Sequence, residues 1–144
     1  MTTADIKQGI IDAIAAAFPS ATIYAEKVPQ NFEDGSFRVK SIKATNRAEA
    51  DTRKYRSILF DILYFPVSTD EPETECENVI DKLFHTVEWI TAAGHTMRGT
   101  DLSGEYDQEQ EVGRFRVTFG MFLNDVRDKA PVMETLKQKV KSNR

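Results

Sequence analysis

Residues 54–65 read KYRSILFDILYF and are followed by Pro66. In an extended chain Ile58, Phe60, Ile62 and Tyr64 share one face, while Leu59, Leu63 and Phe65 share the other with Tyr55, Ser57 and Asp61. Both faces carry bulky groups. Such a strand belongs in the middle of a sheet, covered on each side by a helix, a second sheet or a neighbouring subunit. Pro66 has no amide proton to give a ladder, so the strand ends there.

The flanking segments supply the rest of that sheet and its cover. Ser36 to Lys43 alternates, with Phe37, Val39 and Ser41 inward against Arg38, Lys40 and Ile42, which marks a second strand with a basic outer face. Ala44 to Thr52 has no bulky apolar residue and is expected to be an exposed link, long for a hairpin and of the kind that often carries function. Before it, Glu26 to Gly35 is a turn-rich connector and Thr22 to Ala25 a short strand. Ala4 to Ala17 reads as a helix with Ile6, Ile10, Ile14 and Phe18 spaced by four, Thr3 as its N-cap and Asp5 near its positive end. Pro19 stops it.

Beyond Pro66, the spacing of Cys76, Val79, Ile80, Leu83, Val87 and Ile90 predicts a helix from Pro72 to Ala92, its stripe widened by Phe84 and Trp89 and its end capped by Gly94. Glu73, Glu77, Asp81 and Glu88 lie opposite and form a solvated face. His95 to Tyr106 reads as an edge-like strand leading to a turn near Gln108. In Val112 to Leu123, Phe115, Val117, Phe119, Met121 and Leu123 face inward, and Arg114, Arg116, Thr118 and Gly120 alternate outward. A last short helix starts near Pro131, with Val132, Leu136 and Val140 inward and a basic end at Lys137, Lys139, Lys141 and Arg144. Helix, strand, strand, strand, helix, strand, strand, helix is an α+β plan: a mostly antiparallel sheet of four to five strands with helices on one face.

The 144 residues, 40% hydrophobic and 29% charged, suit one domain spanning 1–144. No apolar run is long enough to cross a membrane, and no basic leader with an apolar core opens the chain, so a soluble protein made in the cytosol is expected. A single cysteine, Cys76, excludes an internal disulfide and a cysteine zinc cluster, and its place on the apolar stripe makes it a buried thiol.

Chemical signatures are weak throughout. His85 and His95 lack a partner at ligand spacing, and His85, between Phe84 and Val87, reads as a partly buried structural residue. The scattered glycines make no phosphate loop, and Ser103-Gly104 lacks the surroundings of a nucleophile elbow. No catalytic, cofactor or metal residues are therefore assigned, and an enzyme is not expected. Charge is more informative. From Arg38 to Arg56 seven bases face two acids, and from Gly99 to Gly113 five acids stand without a base. Each block alone is a solvated face, but two opposed blocks suit head-to-tail self-association. Arg38, Lys40, Arg47, Arg53, Lys54 and Arg56 on one side, and Glu105, Asp107 and Glu109 on the other, are the candidate interface residues. Nucleic-acid binding by the basic block is disfavoured by the acidic net charge and by the presence of only Phe37 and Tyr55 as neighbouring aromatics.

Phe18-Pro19, Ile23-Tyr24-Ala25-Glu26, Phe37, Val39, Tyr55-Arg56, Phe60-Asp61-Ile62, Tyr64-Phe65 and the run Phe115 to Phe119 stand in an order that resembles the small tail terminator proteins of phages and prophages. The resemblance spans nearly the whole chain and rests on patterns of strand and helix. The approach to the last strand, Glu111-Val112-Gly113-Arg114-Phe115, is more charged than is usual in that family. The resemblance implies a tail-terminator-like fold and a structural virion protein without cofactor, assembled in the host cytoplasm. It implies a homo-oligomeric ring, commonly a hexamer, that caps the tail tube, stops polymerisation, joins the head connector and lets DNA pass. Its partners would be itself, the tube protein and the head-tail connector, with no membrane. The alternatives are a head-completion or neck protein, and a small binding or chaperone module acting through the 44–52 loop.

Overall fold

The computed structural model describes residues 1–50 and 52–124. Its elements are α1 (Thr3–Ala17), β1 (Ile23–Tyr24), β2 (Phe37–Ala50), β3 (Arg53–Tyr64), α2 (Pro72–Thr86), β4 (Trp89–Ala92), β5 (His95–Arg98), β6 (Thr100–Asp107) and β7 (Val112–Asn124). One sheet has five strands in the order β1-β2-β3-β7-β6, and β4 and β5 form a separate hairpin. The expected last helix and basic end lie outside the described residues.

β3 is second to none in burial, with Ile58, Phe60 and Ile62 fully enclosed, and it sits mid-sheet as its two apolar faces require. The start of β2 meets its end: Gly35 N donates to Phe65 O, and Phe65 N to Ser36 O, which makes β2 and β3 antiparallel. β6 and β7 are antiparallel as well, and only the two-residue β1 runs parallel to its neighbour. The chain is thus α+β, with a mostly antiparallel sheet and both described helices on one face. Phe18 packs on Phe37 at 4.9 Å between ring centres, and Phe84 on Phe115 at 5.0 Å.

Two compact units make up the chain. The first comprises Met1–Thr45 and Ser57–Gly120 and holds the buried core. The second comprises Asn46–Arg56 and, of the described residues, Met121–Asn124. Within this second unit Tyr55 meets Phe122 edge-on at 4.9 Å, with the Arg47 guanidinium over the Tyr55 ring and that of Arg53 over Phe122.

Several sequence expectations need correction. The N-cap of α1 is Thr2, one residue before Thr3, because a capping box forms: Thr2 Oγ1 accepts from Asp5 N, and Thr2 N donates to the Asp5 carboxylate at 2.9 Å. Residues 44–50 are strand and not the expected loop. β2 runs to Ala50 and β3 resumes at Arg53, so polar residues exposed on both faces are held by the backbone ladder, which needs no hydrophobic period. The helix expected to reach Ala92 stops at Thr86, and Gly94 is no helix cap. Ala93 and Gly94, at φ 50° and 80°, make the two-residue turn that pairs Ala92 with His95. Val87 and Ile90 are buried as expected, but from a turn and a strand, while Trp89 faces outward at 55% exposure. His85 is exposed, off the buried stripe of Cys76, Ile80 and Leu83.

Helix α1 lies directly against this hairpin at Gly9. A β-carbon there would stand 2.6 Å from the backbone oxygen of Thr91. Gly→Ala inside a helix normally stabilises by about 1 kcal/mol, but overpacking against immobile backbone costs about 1 to 3 kcal/mol. Gly9→Ala should therefore lower the melting temperature. A rise would mean that α1 sits farther from β4.

Helix α2 is tied to the end of β3 through Glu75. Its carboxylate accepts from the Tyr64 hydroxyl at 2.6 Å and from the Val67 and Ser68 amides at 2.8 Å. Burial pulls its titration upward, but the Tyr64 hydroxyl and the two amides outweigh that and hold Glu75 below the ordinary carboxylate value. A depressed carboxylate stabilises the fold above its unfolded pKa and loses that contribution as pH falls through the folded value. Glu75→Gln should therefore flatten the acid limb of thermal stability below pH 4.5, its ordinary value. An acid limb identical to that of the natural chain would show that this cradle adds nothing.

Candidate functional site

Strand parity decides which side chains gather on the face away from the helices. Phe37 and Val39 of β2, Phe60 and Ile62 of β3, and Phe115, Val117 and Phe119 of β7 fill the core, so Arg38, Asp61, Arg114 and Arg116 project from the opposite face. There they meet. Asp61 has a side chain only 3% exposed, and Arg38, Arg114 and Arg116 reach it at 3.3, 3.5 and 3.4 Å. Arg114 also donates through Nε to Asp107 of β6 at 3.1 Å. Sequence parity had put Arg114 and Arg116 outward. They are outward, yet their guanidinium groups cover a buried acid.

Three guanidinium groups face two carboxylates in this cluster. Arg38 Nε and Asp61 Oδ1 are buried without a hydrogen-bond partner among the described residues, so the network is not saturated. The Asp107 carboxyl lies below its ordinary range, held first by the Gln110 amide, then by the Arg114 guanidinium and the Glu109 amide. Glu105 stands directly across from Arg114 in the register, as Ser103 does from Arg116. An open cleft of about 280 Å³ between these strands is lined by Ser103, Gly104, Glu105, Arg114 and Arg116.

The signs alternate across the sheet. Arg38 and Lys40 on β2 are positive, Asp61 on β3 negative, Arg114 and Arg116 on β7 positive, and Glu105 and Asp107 on β6 negative. Of the two sequence blocks, Arg38 and Lys40 on β2 and the acids Glu105 and Asp107 on β6 thus lie on opposite sides of the sheet in the first unit, with Arg38 and Asp107 engaged within the protomer. Lys40, Glu105 and Glu109 are exposed. The other candidates belong to the second unit. Arg47 pairs with Glu49, Arg56 donates to Asn46 at 2.8 Å, Arg53 stacks on Phe122, and Lys54 is half-buried there. Asp61 was missed as a site residue. The available signal was an acid and three arginines at outward parity on three strands, legible only once the strand order is known.

Among the described residues no three His, Cys, Asp or Glu side chains are grouped to hold a metal ion, and no helix is long and apolar enough to cross a membrane. Cys76 is a buried thiol whose pKa is pushed up to about 11, first by burial and then by Glu75 and Glu77.

A solved structure is 13% identical to this chain, with a TM-score of 0.43 over 85% of this chain and 94% of its own. No curated protein matches the sequence. A family model described as phage tail terminator protein matches residues 5–131. With most of the chain matched, this protein belongs to the phage tail terminator family, structural proteins that complete the tail.

Proposed function

We propose that copies of this chain close head to tail into a ring, a hexamer by resemblance to other tail terminators. The ring caps the head-proximal end of the tail tube, stops its polymerisation and forms the joint to the head connector. The family match over residues 5–131 carries this reading. The charge ladder supports the mode of self-association, because a ring subunit needs two different complementary surfaces and this sheet ends positive on one side and negative on the other. Assembly takes place in the host cytoplasm, the ring binds tube protein on one side and connector on the other, and DNA passes through its lumen. Exposed ion pairs each contribute about 0 to 1 kcal/mol, so most of the affinity comes from other contacts, and salt weakens the ring without abolishing it.

The test uses tube protein of the same phage, polymerised with and without the full-length chain and imaged by electron microscopy. Substoichiometric chain should arrest growth and leave a distinct cap at one tube end. Tubes of unchanged length with two bare ends would overturn the proposal.

A further inference from the structure

Among the described residues the five-stranded sheet has one open edge and one that is barely covered. β6 is its last strand, and among the described residues nothing pairs with its outer side. At the other margin β1 covers β2 only at Phe37 and Arg38. Phe37 N donates to Thr22 O beside β1, and amides alternate sides along a strand, so the Ser41, Lys43 and Thr45 amides point to that same margin beyond the reach of β1. Unpaired ladder groups of this kind are templates for another strand. The β6 irregularity lies between Thr100 and Ser103, where Asp101 has φ 53°, and Ser103–Asp107 keeps unbroken register.

We infer that β6 of one copy pairs with the free length of β2 in the next, so that neighbouring sheets run on as one. This rests on the ring reading above and names the surface that builds it. Charge selects this pairing over the symmetric ones. β6 against β6 would set Glu105 and Asp107 against like charges, and β2 against β2 would do the same to Lys40 and Lys43. β6 against β2 instead continues the alternation by one more step. A groove of about 600 Å³ beside β2 is lined by Lys7, Lys27, Arg38 and Lys40 with one acid, Glu26, and it suits the acids of an incoming β6.

The test is covalent capture. Ile42 and Ser103 are exposed, uncharged and on the outer face of the two strands. Ile42→Cys, Ser103→Cys and the double variant of the full-length chain are treated with a flexible bismaleimide, and Cys76 stays buried and protonated. The double variant should give a ladder of species longer than dimers on a denaturing gel, and each single variant dimers at most. Lys43→Pro removes an outward amide without touching the β3 ladder, and should raise the concentration needed for assembly about tenfold with the melting temperature unchanged. If sedimentation shows assembled double variant with no ladder beyond dimers, or folded Lys43→Pro assembles normally, edge pairing is wrong while the ring stands. If the natural chain stays monomeric at every concentration, the ring reading fails and edge pairing with it.

Discussion

Asp61→Ala is expected to lower the free energy of unfolding by about 3 kcal/mol at neutral pH. Breaking a buried ion pair by removing one partner costs about 3 to 5 kcal/mol, because the remaining charge keeps its desolvation and loses its compensation. Here three partners lose it at once, since Arg38, Arg114 and Arg116 all lie within 3.5 Å of the carboxylate. Their side chains are 23%, 24% and 48% exposed, so water relieves part of the repulsion and the low end of the range applies. Asp61→Asn keeps the shape and removes the charge, and should cost nearly as much. Urea melts measure both. A shift under about 0.5 kcal/mol, the usual size for a surface change, would mean that the arginines reach water without rearranging the sheet.

Leu83→Ala is the second large effect. Leu83 is 1% exposed on the buried stripe of α2, between the helix and the sheet that contains β3 and β7. Truncating a buried leucine removes transfer energy and leaves a cavity, together about 2 to 5 kcal/mol. Thermal melts read the loss directly. Near-neutral behaviour would mean that the stripe does not pack on the sheet.

Leu83 and Asp61 also show what the sequence could and could not reveal. Period-four and period-two patterns located α1, β3, α2 and β7, because each buries at least one continuous face. The same periodicity misled at Val87 and Ile90, which fit a helical spacing and are buried, yet belong to a turn and to β4. The hairpin signal there was faint because Ala93, rather than Asn or Asp, occupies the first turn position with positive φ. At 44–50 the error ran the other way: hydrogen-bonded strand leaves no trace when neither face is buried. The opposed charge blocks were legible as composition. Their meaning was not, since Arg38, Asp61 and Arg114 come together only through the β2-β3-β7 order, which no local pattern encodes.

The surface that would join copies follows from that same order. Its most direct test is the native mass of the natural chain, measured by sedimentation across a range of concentration, with negative-stain images of the same sample. The proposed hexameric ring, closed head to tail, predicts one species at six times the 16.3 kDa protomer mass, seen as rings, with loosening but not loss as salt rises. A monomer at every concentration, or a two-fold dimer that grows no further, would contradict it.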